Sequence, residues 1–192
     1  EKHPETDVLH VWLADDCKNF CECENCKGLL PSDSYVLALN KIDEILSARK
    51  IKTRIAFLAY CELLWAPVKY KIKNEDRFIL MFAPITRPFS QNISDEAENS
   101  LYAKNEKFVL NKSAFPGDLT RNLAFLREWK NVFKGDSFIF DYPLMWEINK
   151  DISTLRLPGI IKKDVAGLEK IGLNGEISCQ LQRAFFPHGY SQ

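Results

Sequence analysis

The sequence predicts an α/β fold built on a parallel sheet, and three observations carry that expectation. Short runs rich in β-branched and aromatic residues, each of strand length, alternate with longer stretches of helical periodicity. Read in order, these runs give β, α, β, β, α, β, α, β, and strands alternating with crossover helices favour parallel pairing. The composition, 46% hydrophobic and 27% charged over 192 residues, is that of a chain able to bury a core. One domain spanning residues 1–192 accounts for all of it.

The first apolar run, Val8 to Ala14, is bounded by polar residues and reads as a buried strand closed by Asp15 and Asp16. After a cysteine-rich loop, Pro31-Ser32-Asp33-Ser34 opens a helix with Ser32 as its expected N-cap, and Tyr35, Leu39, Ile42 and Leu46 recur on one face. Strands follow at Arg54–Tyr60 and Phe78–Ile85, separated by an irregular stretch containing Pro67. Residues 86–117 carry little periodicity beyond a short helix expected near Glu96 to Lys107. Asp118 caps the next helix, whose stripe holds Leu119, Leu123, Leu126 and Phe133, and Gly135 stands where it should end. A strand at Phe138–Tyr142, a helix through Ile161, Val165 and Leu168, a turn at Asn174-Gly175 and a last strand with Ile177, Cys179 and Leu181 complete the order.

Lys plus Arg number 26, as do Asp plus Glu, and no basic block stands out, so the electrostatic footprint of a nucleic-acid binder is missing. The longest apolar run is of strand length and is broken by Pro84, so no membrane span is expected. No basic and apolar leader precedes Val8, and any targeting signal was removed or lies upstream.

A doubly wound nucleotide-binding sheet would want a glycine-rich turn after its first strand, and WLADDCKNFCEC offers neither that turn nor a P-loop. The competing architecture is a stretch of a (β/α)8 TIM barrel, with catalytic groups where each strand ends. Five strands cannot close eight, so upstream strands are expected to be missing from this segment.

In either architecture ligands sit beyond the carboxyl ends of the strands. The polar residues there are His10, Asp15 and Asp16, then Tyr60 and Glu62, then Arg87, then Asp141 and Tyr142, and finally Gln180, Gln182 and Arg183. Carboxylates with aromatics (Trp12, Tyr60, Trp65, Tyr142, Trp146) suit a sugar site: acid and base serve the glycosidic oxygen, and flat rings suit the pyranose. Against this, strand-end charges are commonly solvated loop starts, Trp12, Trp129 and Trp146 read as core or interface packing ahead of sugar platforms, and His10 reads as a hydrogen-bonded structural residue. The sequons at Asn92 and Asn111 are short enough to arise by chance.

Four cysteines crowd one loop as Cys17-x3-Cys21-x-Cys23-x2-Cys26. Such spacing allows a thiolate-bound ion, structural Zn²⁺ above all, a local disulfide, or free thiols. Neighbouring acids work against reactive nucleophiles. Cys61 and Cys179 read as ordinary buried residues.

VWLADD followed by NFCECENCK, the helix opening PSDSYV, IAFLAY, FAPI with Arg87, and an FDY strand together resemble a bacterial TIM-barrel family filed as domain of unknown function 4838. That family is related at fold level to glycoside hydrolases of the α-glucuronidase kind. The likeness runs from about His10 to Gln182, with Asp15 and Cys21-x-Cys23-x2-Cys26 as its most specific part; Asn122 and Trp129 fit it, and Cys17 is an addition to it. The resemblance implies a (β/α)8 barrel with this chain as its C-terminal portion, a carbohydrate substrate, further domains in a longer chain, and a periplasmic, cell-surface or secreted location.

The leading expectation is therefore a glycoside hydrolase that needs no cofactor. Asp15 is the acid or nucleophile and Glu62 or Asp141 its partner; Asp16, Tyr60, Trp65, Arg87, Tyr142 and Gln180 bind substrate, and Arg87 suits a uronate. Cys21, Cys23 and Cys26 are the expected metal ligands. The alternatives are a carbohydrate-binding barrel without turnover and a scaffold stiffened by a structural metal.

Overall fold

A computed structural model describes residues 3, 6–15, 18–145, 151 and 155–179. Asp16, Cys17, Trp146, Gln180, Gln182 and Arg183 lie outside the described residues.

Five strands, β1 (Val8–Val11), β2 (Arg54–Ala59), β3 (Phe78–Phe82), β4 (Asp136–Asp141) and β5 (Glu176–Ser178), form one sheet in chain order, every neighbouring pair parallel. Because each strand lies beside its predecessor, the sheet progresses in one direction and its helices collect on one face. Those helices are α1 (Pro31–Ala48), the single turn α2 (Ile93–Glu96), α3 (Leu119–Val132) and α4 (Arg156–Gly167). Between β2 and β3 there are only short 3-10 turns, at 61–64 and 75–77.

The register assigns every strand residue to a face. Ile55, Phe57 and Ala59 of β2 stand level with Phe78, Leu80 and Phe82 of β3, and these meet the helices. Phe57 is the hub, packed against Phe78, Phe133 and Trp129 with ring centroids 5.2–6.0 Å apart. Val8, His10, Ala56, Leu58, Ile79, Met81, Phe138 and Phe140 occupy the other face.

Among the described residues no helix covers that second face, yet Met81 is 1% exposed and Leu58 6%. The sheet covers it by curling. In a flat sheet β1 and β4 would lie about 14 Å apart, three strand spacings. Instead the His10 ring is 6.5 Å from that of Phe138, and the Trp12 ring 5.9 Å from that of Phe140. At the opposite end of the strands Arg54 of β2 reaches Asp136 of β4 at 3.3 Å, passing over β3. The sheet is a half-barrel that fills its own concavity with side chains.

Local chemistry explains the element ends. Helix α1 begins two residues earlier than its expected cap at Ser32 implied: Leu30 is the N-cap, Pro31 takes the first helical position, and Asp33 accepts from the Leu30 N–H at 3.3 Å. The Ser32 hydroxyl is buried without a hydrogen-bond partner among the described residues. Asp33, 1% exposed, also gathers the Val68, Lys69 and Tyr70 N–H groups on its Oδ1 at 2.7–3.1 Å, which fastens the irregular β2–β3 connection to the helix. Asp118 caps α3 through the Arg121 N–H, as its sequence predicts. The short helix expected near Glu96 to Lys107 instead starts at Ile93, capped by Asn92, with a 3-10 turn at 99–101. Helix α4 starts five residues before Ile161 because the Asp151 carboxylate accepts from the Leu157 N–H at 2.8 Å and Pro158 falls in the first turn, where its missing N–H costs nothing.

Asp33→Ala should lower stability by about 3 kcal/mol, since it strands several buried N–H groups. Ser32→Ala, which removes a hydroxyl with no partner, should stay within about 0.5 kcal/mol of the parent or stabilise it. Urea-unfolding midpoints of the two variants check this; equal losses would contradict it.

Candidate functional site

Beyond Val11, β1 leaves the ladder, and the Tyr35 hydroxyl takes over its hydrogen bonding by donating to Val11 O and accepting from the Leu58 N–H. The chain therefore passes from β1 to the carboxyl rim of the sheet with Asp15 brought beside the end of β2. There the Tyr60 hydroxyl donates to Asp15 Oδ1 at 2.9 Å. Burial, and after it the neighbouring Cys61 and Asp15, raise the Tyr60 phenol, so it stays a protonated donor. Tyr142 at the end of β4 is raised in the same way, by burial first and then by Cys179, Asp141, Cys61 and Asp15. One exposed carboxylate thus sits among two phenols that keep their protons.

Cys61 has φ +49°, a left-handed conformation uncommon outside glycine and asparagine. It turns the chain sharply out of β2, so that Tyr60, Cys61 and Glu62 line one small cavity with Leu13, Ala14 and Phe20. Glu62 is 3% exposed and its Oε1 accepts from the Lys18 N–H. The carboxylate is in the wall of the cavity but is engaged by backbone. Trp12, on the concave face just below this rim, is 51% exposed, and its Nε1–H donates to His10 Nδ1 at 3.1 Å.

The remaining expected site residues are placed elsewhere. Arg87 is buried on the helix-facing side: its Nη1 donates to Asp141 at 2.8 Å, and its Nη2 to Asp164 at 2.8 Å and to the Gln91 carbonyl at 3.2 Å. The guanidinium lies 4.4 Å over the Phe89 ring. Asp164 also accepts from the Ile93 N–H at 2.7 Å, and Asp141 from the Tyr142 N–H at 2.9 Å. Both terminal nitrogens being committed, Arg87 has no free fork for a substrate carboxylate, and Asp141 faces away from Asp15. These residues tie β4, α2 and α4 together. Trp65 is 6% exposed, donates to the Glu106 carbonyl at 2.8 Å and packs on Phe125 at 4.7 Å, so it fills core and offers no open platform. Trp129 is fully buried and bonded to the Leu63 carbonyl.

Sequence reasoning missed Asp164, although it stands on the buried stripe Leu157, Ile160, Asp164, Gly167, where a lone acid signals a buried partner. It also missed Asn111, which holds the cysteine loop. Asn111 accepts from the Phe20 N–H at 2.9 Å and donates to Phe20 O and Glu22 Oε1, each at 2.8 Å. Both sequon asparagines are thus engaged in protein contacts, Asn92 as an N-cap and Asn111 as a clamp.

In that loop Cys21, Cys23 and Cys26 are exposed, with sulfurs all within 4.8 Å of one another, close enough to bind a metal ion. Hydrogen bonds from the Cys21 and Cys26 thiols, then from the Cys26 and Asn25 backbone N–H groups, lower the Cys23 thiol to about 7; Cys26, which gives its proton toward Cys23, is raised to about 11.

Burial holds Asp141 up at about 6 against the pull of Arg87, and raises Asp164. It also lifts Glu176 of β5 to about 7, with Asp141 and Asp164 adding to the effect. Glu176 Oε2 has no hydrogen-bond partner among the described residues.

Comparison with protein-family models, curated proteins and solved structures finds no match to this chain.

Arg87→Met should cost about 3–5 kcal/mol at neutral pH, because it leaves two buried carboxylates unbalanced; an unfolding midpoint within error of the parent would contradict the pairing. A carboxyl raised on folding binds more protons folded than unfolded between about pH 4.5 and 7, so the stability tied to Glu176 falls as pH rises through that window. Glu176→Gln should therefore gain on the parent from pH 5 to pH 8 in parallel urea titrations, and a pH-independent difference would refute the assignment.

Proposed function

We propose that the protein binds carbohydrate at the carboxyl rim of the half-barrel. The observation that carries this reading is the exposed Asp15 carboxylate, held by Tyr60 at the end of β2, three residues along the chain from the half-exposed Trp12 ring. A carboxylate accepts sugar hydroxyls, the phenols of Tyr60 and Tyr142 offer donors, and the indole face suits the apolar side of a pyranose. The same reading takes the five strands as part of a (β/α)8 barrel, the C-terminal portion as the family resemblance implies. Sequential parallel order, a curled sheet with a packed interior and a polar rim support it.

Hydrolysis is the second reading, favoured by one observation: Glu62 lines the cavity that Tyr60 also lines, and Tyr60 in turn donates to Asp15, so one phenol links the cavity that holds one carboxyl group to the other. Asp15 would be the acid or nucleophile and Glu62 its partner. Asp141, tied to Arg87, has no part in it, and the preference for an acidic sugar, which rested on Arg87, is not carried forward.

A glycan panel tests both readings. Saturable binding is expected, weakened at least about tenfold by Trp12→Ala, a loss of about 1.4 kcal/mol, and weakened also by Asp15→Asn with the fold intact by circular dichroism. Reducing-sugar release that Asp15→Asn abolishes and Glu62→Gln slows would add turnover. Absence of saturable binding across the panel, or binding that ignores both Asp15 and Trp12, would refute the proposal.

A further inference from the structure

We infer that Cys21, Cys23 and Cys26 form a three-thiolate site for a thiophilic divalent cation, Zn²⁺ first among them, which staples the loop between β1 and α1. The inference is independent of what the rim binds. Cysteine is among the residues most often buried, so three exposed cysteines within six positions are not there for packing. Their side chains converge: the Cys26 and Lys27 N–H groups both donate to the Cys23 carbonyl at 3.0 Å, a tight turn that sets the second and third sulfurs side by side, and Cys21 meets them from the other side.

The distances suit an ion better than a bond. Thiolates about 2.3 Å from a tetrahedral zinc stand about 3.8 Å from one another, so sulfurs within 4.8 Å need to close by about 1 Å at most. A disulfide needs about 2.05 Å and joins only two of these three converging sulfurs. A fourth ligand completes the tetrahedron.

The loop also needs the staple. Residues 18–30 contain no helix or strand. Asn111 grips the loop at Phe20, and Lys69 donates to the Gly28 carbonyl at 2.6 Å. Between those grips residues 21–27 are exposed, so almost no apolar burial offsets their ordering. An ion shared by three thiolates supplies that stabilisation directly.

The test uses the whole chain, stripped with EDTA and then given Zn²⁺ alone. Native mass spectrometry should show one Zn²⁺ per chain, and peptide mapping should show Cys21, Cys23 and Cys26 protected together from iodoacetamide by Zn²⁺ while Cys179 is unaffected. Co²⁺ in its place should give thiolate-to-metal charge-transfer absorption. The triple variant Cys21→Ser, Cys23→Ser, Cys26→Ser should lose the ion while keeping its circular dichroism; if it fails to fold, the protection pattern of the parent chain decides. No bound ion, alkylation at the same rate with and without Zn²⁺, or a chain lighter by two hydrogens with a disulfide inside this loop would each overturn the site.

Discussion

The curl of the sheet governs everything else in this molecule. Parallel strands added in chain order place their helices on one face, and a five-stranded sheet then has a second face with nothing to cover it. Bending the sheet until β1 meets β4 solves that problem from within: His10 and Trp12 close against Phe138 and Phe140, and Leu58 and Met81 disappear beneath them. Because the concavity is filled, the open chemistry is pushed to the carboxyl rim, where Asp15, Tyr60 and Tyr142 gather.

The two faces of the strands divide the polar residues between structure and exposed chemistry. Alternation along β4 sends Phe138 and Phe140 inward and Asp141 outward, into the layer where Arg87 and Asp164 complete a buried ion cluster. One carboxylate for one guanidinium would have been balanced; the second is held by backbone, the Ile93 and Tyr142 N–H groups donating to the two carboxylates, while the Phe89 ring face stabilises the guanidinium. The rim, by contrast, keeps a carboxylate in water with neutral donors around it. Proximity in sequence to a strand end therefore does not decide a residue's role; the parity of its position does.

Element order and the parallel sheet were legible because periodicity and caps such as Asp118 are local signals. Less legible were the ends set by distant partners: Asp151 extending α4 past Pro158-Gly159, and Leu30 with Pro31 preceding Ser32. In the site, Asp15 and Tyr60 could be read from their places at strand ends. Arg87 and Asp141 could not be told apart from them, since burial and pairing across 54 residues leave no trace in local sequence. Trp65 misled for the same reason: aromatic rings look alike whether they face sugar or Phe125. The cysteine cluster was visible as spacing, while its convergence depends on the turn at Cys23 and on Asn111, 91 positions from the Phe20 it holds.

The contact between β1 and β4 is the point at which this account stands or falls, and proton NMR reads it directly. Ring-to-ring nuclear Overhauser effects between Trp12 and Phe140, whose centroids lie 5.9 Å apart in edge-to-face contact, are the predicted result. Their absence in a folded chain, with the Met81 methyl group open to a soluble paramagnetic probe, would mean a flat sheet and dissolve the shared rim.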